Sequence, residues 1–134
     1  MVHHVVLFRF RRDLPEAAVE AIFQELRGFR QSLPGITGFQ GGAYNSPEGL
    51  AKGFTHGFTM TFADAAARDA YLPHPLHQAV VKRLLPMLEG GIDGVLTFDF
   101  IDGVMAPPGC LSPSSRPDSS PAATIRSRPP RGPD

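Results

Sequence analysis

The amino-acid sequence predicts an α+β domain in which a four-stranded antiparallel sheet carries helices on one face only. Four segments alternate apolar and polar residues with the two-residue period of a half-buried strand. The segments between them repeat apolar residues at spacings of three and four, as helices with one buried face do. The order is strand, helix, strand, strand, helices, strand. This order is typical of a ferredoxin-like layer.

The first strand is expected from His3 to about Arg11, and a helix follows it. Asp13 is predicted to cap this helix, with Glu16 completing an approximate capping box, and Pro15 suits the first turn. The dipeptide Pro34-Gly35 ends the helix. One stripe of the helix is apolar and should face the core: Val19, Ile22, Phe23, Leu26 and Phe29.

The rest of the fold is predicted from five segments. A weak strand from Ile36 to Ala43 is thinned by glycines, and a clearer strand runs from Thr55 to Phe62. A short helix from about Asp64 to Tyr71 breaks at a proline, and a second runs from near Pro75 to about Leu88. The final strand follows a glycine pair and extends from about Val95 to Phe100.

The two faces of the predicted sheet differ in character. The face toward the helices is expected to carry His4, Phe8, His56, Phe58, Phe62, Phe98 and Phe100. The opposite face is expected to carry Val5, Leu7, Thr59, Thr61, Val95 and Thr97. The latter set is too apolar for open water, yet no second helical layer is predicted to cover it. Packing this face against a second copy would cover it, so the sequence predicts a homodimer.

Length, charge and composition limit the classes of function. Residues 1–102 are expected to form one domain, and 103–134 to be a disordered tail rich in Pro, Ser and Arg. Thirteen basic against thirteen acidic residues leave no net charge to attract nucleic acid or an anionic membrane. The single cysteine, Cys110, lies in the predicted tail. Without a leader pattern or an apolar run long enough to cross a bilayer, a cytoplasmic protein is expected.

The segment from Tyr71 to His77 carries the main chemical indication. His77 heads an apolar helical stripe, so its ring should point inward, where it must be hydrogen-bonded or put to use. Because Pro75 suits the first helical position, the helix dipole and burial would both disfavour the imidazolium of His77. A neutral imidazole can act as a general base, with the Tyr71 phenol beside it. The alternative is that His77 is a core histidine bonded to a backbone carbonyl or to Tyr71. In that case the Tyr71 ring would only pack, with its hydroxyl at the mouth of the cavity.

Further polar side chains are expected around the same cavity. His4 and His56 should line it, either as supporting polar groups or as satisfied core residues, together with Phe23 and Leu26 of the first helix. His74, between two prolines, is predicted to bond the backbone of the turn. No metal or cofactor is expected, because no cysteine or carboxylate lies at matching spacing and nothing singles out a haem ligand.

Four segments resemble a known family in sequence and in order: HVVLFRF at 4–10, LPGI at 33–36, GFTHG at 53–57 and YLPHPLHQ at 71–78. Together they are similar to the stress-responsive A/B barrel (Dabb) family of dimeric α/β barrels, over about Val2 to Phe100. The resemblance implies a ferredoxin-like protomer, a dimer through a central barrel, and a cavity between sheet and helices.

One plant branch of that family, the olivetolic acid cyclases, closes a linear polyketide by a cofactor-free C2–C7 aldol reaction. By this resemblance the catalytic base of the cyclase matches His77, and its phenol partner matches Tyr71. The histidines on the first and third strands of the cyclase match His4 and His56. A second cavity tyrosine of the cyclase falls at Leu26, where this chain departs from the pattern.

Two functions follow from these expectations. The chain either binds a small apolar carbonyl compound, with or without cofactor-free acid–base chemistry of a polyketide-cyclase or related kind, or serves as a non-catalytic dimeric module in stress response or protein association. An enclosed pocket touching His77 would favour the first.

Overall fold

The computed structural model describes residues 1–106, and residues 107–134 of the predicted tail lie outside that range. The described residues contain four strands and three α-helices in the expected order. Two short 3₁₀ turns, Leu85–Met87 and Gly91–Gly94, lead from the last helix to the last strand. The elements are β1 (Val2–Phe8), α1 (Glu16–Ser32), β2 (Ile36–Ala43), β3 (His56–Phe62), α2 (Ala65–Tyr71), α3 (Pro75–Leu84) and β4 (Val95–Ile101).

The strands form one antiparallel sheet in the order β2-β3-β1-β4. The predicted fold class, a ferredoxin-like α+β layer, is therefore confirmed. Strand β1 is central: Val6 lies opposite Phe58 of β3 on one side and Thr97 of β4 on the other. Side chains that are opposite each other share a face, so this register fixes which residues of β3 and β4 lie beside His4.

The core lies between one face of the sheet and the helices. Burial alternates along β1 and β3 with the period of two that their sequences predict. The predicted apolar stripe of α1 is buried against the sheet along its whole length: Val19, Ile22, Phe23, Leu26 and Phe29. The most completely buried large side chains are Phe8, Met60, Phe62 and Val80, which join β1, β3 and α3.

The start of α1 differs from the prediction. The helix begins at Glu16, Pro15 takes the cap position, and no side chain caps it, so the prediction that Asp13 caps the helix is wrong. Asp13 is instead held by the guanidinium of Arg11, whose Nε and Nη2 lie 3.0 and 3.1 Å from its two oxygens. A two-pronged bond from a charged donor competes well with a single backbone N–H.

The predicted faces of β4 are also wrong. Asp99 lies opposite His4 and Thr97 opposite Val6, so Val95, Thr97 and Asp99 face the helices. Leu96, Phe98 and Phe100 lie on the open face instead, with Phe98 62% exposed. In β4 the polar residues Thr97 and Asp99 alternate with Leu96, Phe98 and Phe100, so alternation alone assigns the polar side to solvent. The pairing with β1 shows the opposite orientation.

The open face of the sheet is consequently more apolar than expected. It joins Val5 and Leu7 of β1 to the three exposed side chains of β4, and the His3 ring stacks on Phe100 with 4.9 Å between centroids. Exposed apolar area of this extent is typical of a surface that meets another protein.

Candidate functional site

The turn between α2 and α3 is built by its prolines and by His74. Leu72 caps the end of α2, and α3 begins at Pro75, whose fixed φ suits a first helical position. His74 takes the N-cap, and its Nδ1 accepts a hydrogen bond from the Leu76 amide at 3.1 Å. The prediction that His74 bonds the backbone of the turn is confirmed. This turn places His77 in the first turn of α3, facing the sheet.

The backbone fixes one nitrogen of the His77 ring. Nδ1 lies 2.7 Å from the Leu72 carbonyl oxygen, which also accepts a bond from Gln78 Nε2 at 2.9 Å. Because a carbonyl oxygen can only accept, Nδ1 of His77 carries the hydrogen. In the neutral ring, Nε2 therefore holds the lone pair. This is the atom that a general base requires.

The surroundings of His77 favour its neutral form. Burial lowers the pKa of His77 below its usual 6.5, and the hydrogen bond to the Leu72 carbonyl opposes this shift. The Tyr71 ring lies beside His77, with 4.4 Å between centroids, and is almost fully buried. Burial raises the pKa of Tyr71 far above that of a free phenol, so its hydroxyl stays protonated and can donate.

These two rings line a cavity of about 180 Å³ between the sheet and α3. His4 and Leu26 contribute to the same cavity, and most of its remaining wall is apolar side chains from β1, α3 and the turns after α3. None of the lining residues is Lys, Arg, Asp or Glu. Leu72 and Ile92 line the cavity and are also exposed, so the cavity reaches the surface beside them.

Two residues predicted for this cavity lie elsewhere. His56 is opposite Phe8 at the far end of β1 from His4, and its ring packs edge-on against Phe10 with 5.1 Å between centroids. Its Nδ1 lies 2.9 Å from the Thr55 hydroxyl, and burial lowers its pKa. Phe23 packs against His56, with 5.9 Å between centroids. His56 and Phe23 therefore lie outside the cavity wall, and of the predicted residues the cavity is lined by His4, Leu26, Tyr71 and His77.

A series of charged contacts links the ring of His4 to Asp99 and Arg68. Its Nδ1 donates to Asp99 Oδ1 at 2.7 Å, and Asp99 Oδ2 accepts from Arg68 Nη1, also at 2.7 Å. The Nε of Arg68 donates to Asp69 at 2.8 Å. His4 is only 5% exposed, so a partner for its ring is required. The sequence analysis did not identify Asp99 or Arg68 as site residues. The available signal was that Asp99 is the only charged residue among the seven of β4.

Among residues 1–106, no three histidine, cysteine or carboxylate side chains converge as ligands for a metal ion. In the same residues, no helix has the length and hydropathy needed to cross a bilayer.

Solved structures share this fold. A dimeric ferredoxin-like protein of unknown function from Jannaschia sp. CCS1 is 33% identical, with a TM-score of 0.65 over 75% of this chain and 97% of that one. The hydroxynitrile lyase of Passiflora edulis has a TM-score of 0.69 over 79% of this chain and 96% of its own, at 22% identity. At that identity, the likeness shows the fold alone.

Sequence comparison agrees with the resemblance seen in the four motifs. A stress-response A/B barrel domain-containing protein of Arabidopsis thaliana is 32% identical over 75 residues, which are 55% of this chain. The match spans 65% of the length of that relative. The model of the stress-responsive A/B barrel domain matches residues 2–102, most of the chain. The chain therefore belongs to the stress-responsive A/B barrel domain family.

Proposed function

We propose that this protein binds a small, uncharged carbonyl compound in the cavity and transfers protons at it without a cofactor. The observation that carries the proposal is the state of His77: Nδ1 is anchored on the Leu72 carbonyl, the pKa is lowered by burial, and Nε2 remains available beside a protonated Tyr71. A neutral imidazole next to a hydrogen-bond donor is the pair that proton abstraction beside a carbonyl requires.

In this reaction His77 Nε2 takes a proton from the carbon next to the carbonyl, which forms an enolate, and later returns the proton to that carbon. Tyr71 donates a hydrogen bond to the oxygen on which negative charge develops. A positioned base is commonly worth about a hundred- to ten-thousandfold in rate, and one oxyanion donor about a hundred- to thousandfold. The two groups are close enough, ring to ring, to act on a single small molecule.

The cavity wall limits the ligand class. Because no charged side chain lines the cavity, an anionic ligand would lose its hydration without gaining a counter-charge. A volume of about 180 Å³ is below the lower bound of about 300 Å³ for pockets that hold drug-sized ligands. A compact aldehyde or ketone therefore fits better than a long linear polyketide. The hydroxynitrile lyase of Passiflora edulis is an enzyme with this same fold.

We further propose that the protein is a homodimer, in keeping with the dimeric relative from Jannaschia sp. CCS1. The open sheet face, with Leu96, Phe98 and Phe100 exposed, supports the assembly. We place the dimer in the cytoplasm.

The second candidate is a non-catalytic dimeric module. It is favoured by the small cavity and by the fact that the bond to Leu72 and the contact with Tyr71 already account for His77 as a structural residue. The two candidates differ in one measurable property, which is the ability to remove a proton from carbon.

The deciding experiment follows deuterium exchange at the carbon next to the carbonyl of cyclohexanone and acetophenone in D₂O by NMR. We expect the protein to accelerate exchange, His77→Ala to abolish the acceleration with little change in melting temperature, and Gln78→Ala to retain it. Gln78 is the matched control because it bonds the same carbonyl but does not line the cavity. If neither ketone exchanges faster and His77→Ala lowers the melting temperature strongly, the non-catalytic module is correct.

A further inference from the structure

We infer that Arg68 is a positioning residue for His4, which it holds through Asp99 in the orientation that keeps the hydrogen on Nδ1 and presents Nε2 to the cavity. The role in catalysis rests on the proposed function, whereas the effect on the ring of His4 does not. The residues involved come from three elements, with His4 on β1, Asp99 on β4 and Arg68 on α2.

The contacts leave the carboxylate of Asp99 fixed at both ends. Oδ1 accepts from His4 and Oδ2 accepts from Arg68, each at 2.7 Å. A carboxylate with both oxygens bonded cannot turn without breaking one bond, so the hydrogen of His4 stays on Nδ1. Nε2 of His4 is then left to face the cavity that the ring lines. An imidazole free in water has no such constraint on its tautomer.

The charges around His4 give Arg68 a second effect. The groups facing the ring are Asp99 from β4, Arg68 and Tyr71 from α2, and His77 from α3. The bonds to Asp99 and then to Asp69 raise the pKa of Arg68, so it is a permanent cation. Arg68 therefore binds the second oxygen of Asp99 with a permanent charge, which makes this contact stronger than a neutral hydrogen bond.

The cavity therefore has two imidazoles, and each is held by a different kind of hydrogen-bond acceptor. A neutral backbone carbonyl holds His77, and a carboxylate that is already paired with a guanidinium holds His4. Both rings then offer a lone pair on Nε2 to a ligand, so either ring can remove a proton and, once protonated, return it. Arg68 itself does not line the cavity, so it acts only through Asp99.

The test reads the ring of His4 directly by ¹⁵N NMR at pH 7, without any ligand. In the unaltered protein we expect Nδ1 to carry the hydrogen and Nε2 to show the shift of a lone-pair nitrogen. Arg68→Met keeps the apolar stem and removes the charge, and we expect it to move Nε2 out of that range. Arg68→Lys should largely restore the signal, and Asp69→Asn is the matched control that should leave it unchanged.

Two further measurements make the result decisive. In an Asp99→Asn background, Arg68→Met should have no additional effect on the His4 signal, because the contact through which Arg68 acts is gone. If Arg68→Met does not fold, Arg68→Gln gives the same comparison. A His4 ring that stays the same in the folded Met or Gln variant overturns the inference, even if ketone exchange is observed. Conversely, a changed ring in a protein that exchanges no ketone refutes only the proposed function.

Discussion

Phe98 provides a quantitative test of the proposed dimer. Its side chain is 62% exposed on the open face. An aromatic side chain has about 200 Å² of surface, so about 120 Å² of Phe98 is open to water. At about 25 cal/mol per Å², covering this area stabilises a dimer by about 3 kcal/mol per copy. Alanine would keep about a third of the effect, so the two copies of Phe98→Ala together should cost about 4 kcal/mol.

A loss of about 4 kcal/mol raises the dissociation constant about a thousandfold. We expect sedimentation equilibrium to show a dimer for the unaltered chain at micromolar concentration and a monomer for Phe98→Ala. Leu76→Ala is the matched control, because Leu76 is 43% exposed but lies on α3, away from the sheet. An unaltered chain that is monomeric at this concentration, or a Phe98→Ala variant that dimerises equally well, would show that this face is not the interface.

Four further outcomes are expected. Because the pKa of His77 is lowered, ketone exchange should rise with pH through that lowered value and be level by neutral pH. His77 binds a proton more readily in the unfolded chain than in the folded one, so acid below about pH 6.5 should lower the free energy of unfolding. Urea denaturation should show a larger loss for the unaltered protein than for His77→Ala. Tyr71→Phe should keep the ring packed against Phe62 and change stability by under about 1 kcal/mol, while exchange falls about a hundredfold; an unchanged rate would remove Tyr71 from the mechanism. Gly35→Ala should lower the free energy of unfolding by at least about 1 kcal/mol, because φ is +91° and the new Cβ would lie 2.5 Å from Cβ of Ala67; full stability in urea would contradict this.

The elements of the fold could be predicted because their periodicities are local. The alternation along β1 places His4 on the buried face, and the prolines on either side of His74 mark the start of α3. The faces of β4 could not be predicted in this way. Alternation assigns Thr97 and Asp99 to the solvent side, whereas the orientation is decided by the pairing with β1, 95 residues away at the His4–Asp99 contact.

Part of the site could be predicted because it also depends on local sequence. Tyr71 and His77 come together because the turn between them is short and fixed by proline, which the sequence shows directly. The roles of Asp99 and Arg68 depend on register and on the packing of α2 over the sheet. The separation of His56 from the cavity depends on the direction of β3, which places it opposite Phe8. Such long-range pairings are properties of the assembled sheet.

The register of β4 connects the proposed dimer interface to the proposed proton chemistry. A slip of one residue against β1 would exchange the two sides of the strand, turning Asp99 outward and the ring of Phe98 toward the helices. The same error would remove both the apolar contact surface and the anchor of His4. Substitutions that loosen β4 should therefore impair self-association and the histidine environment together, even when they touch neither directly.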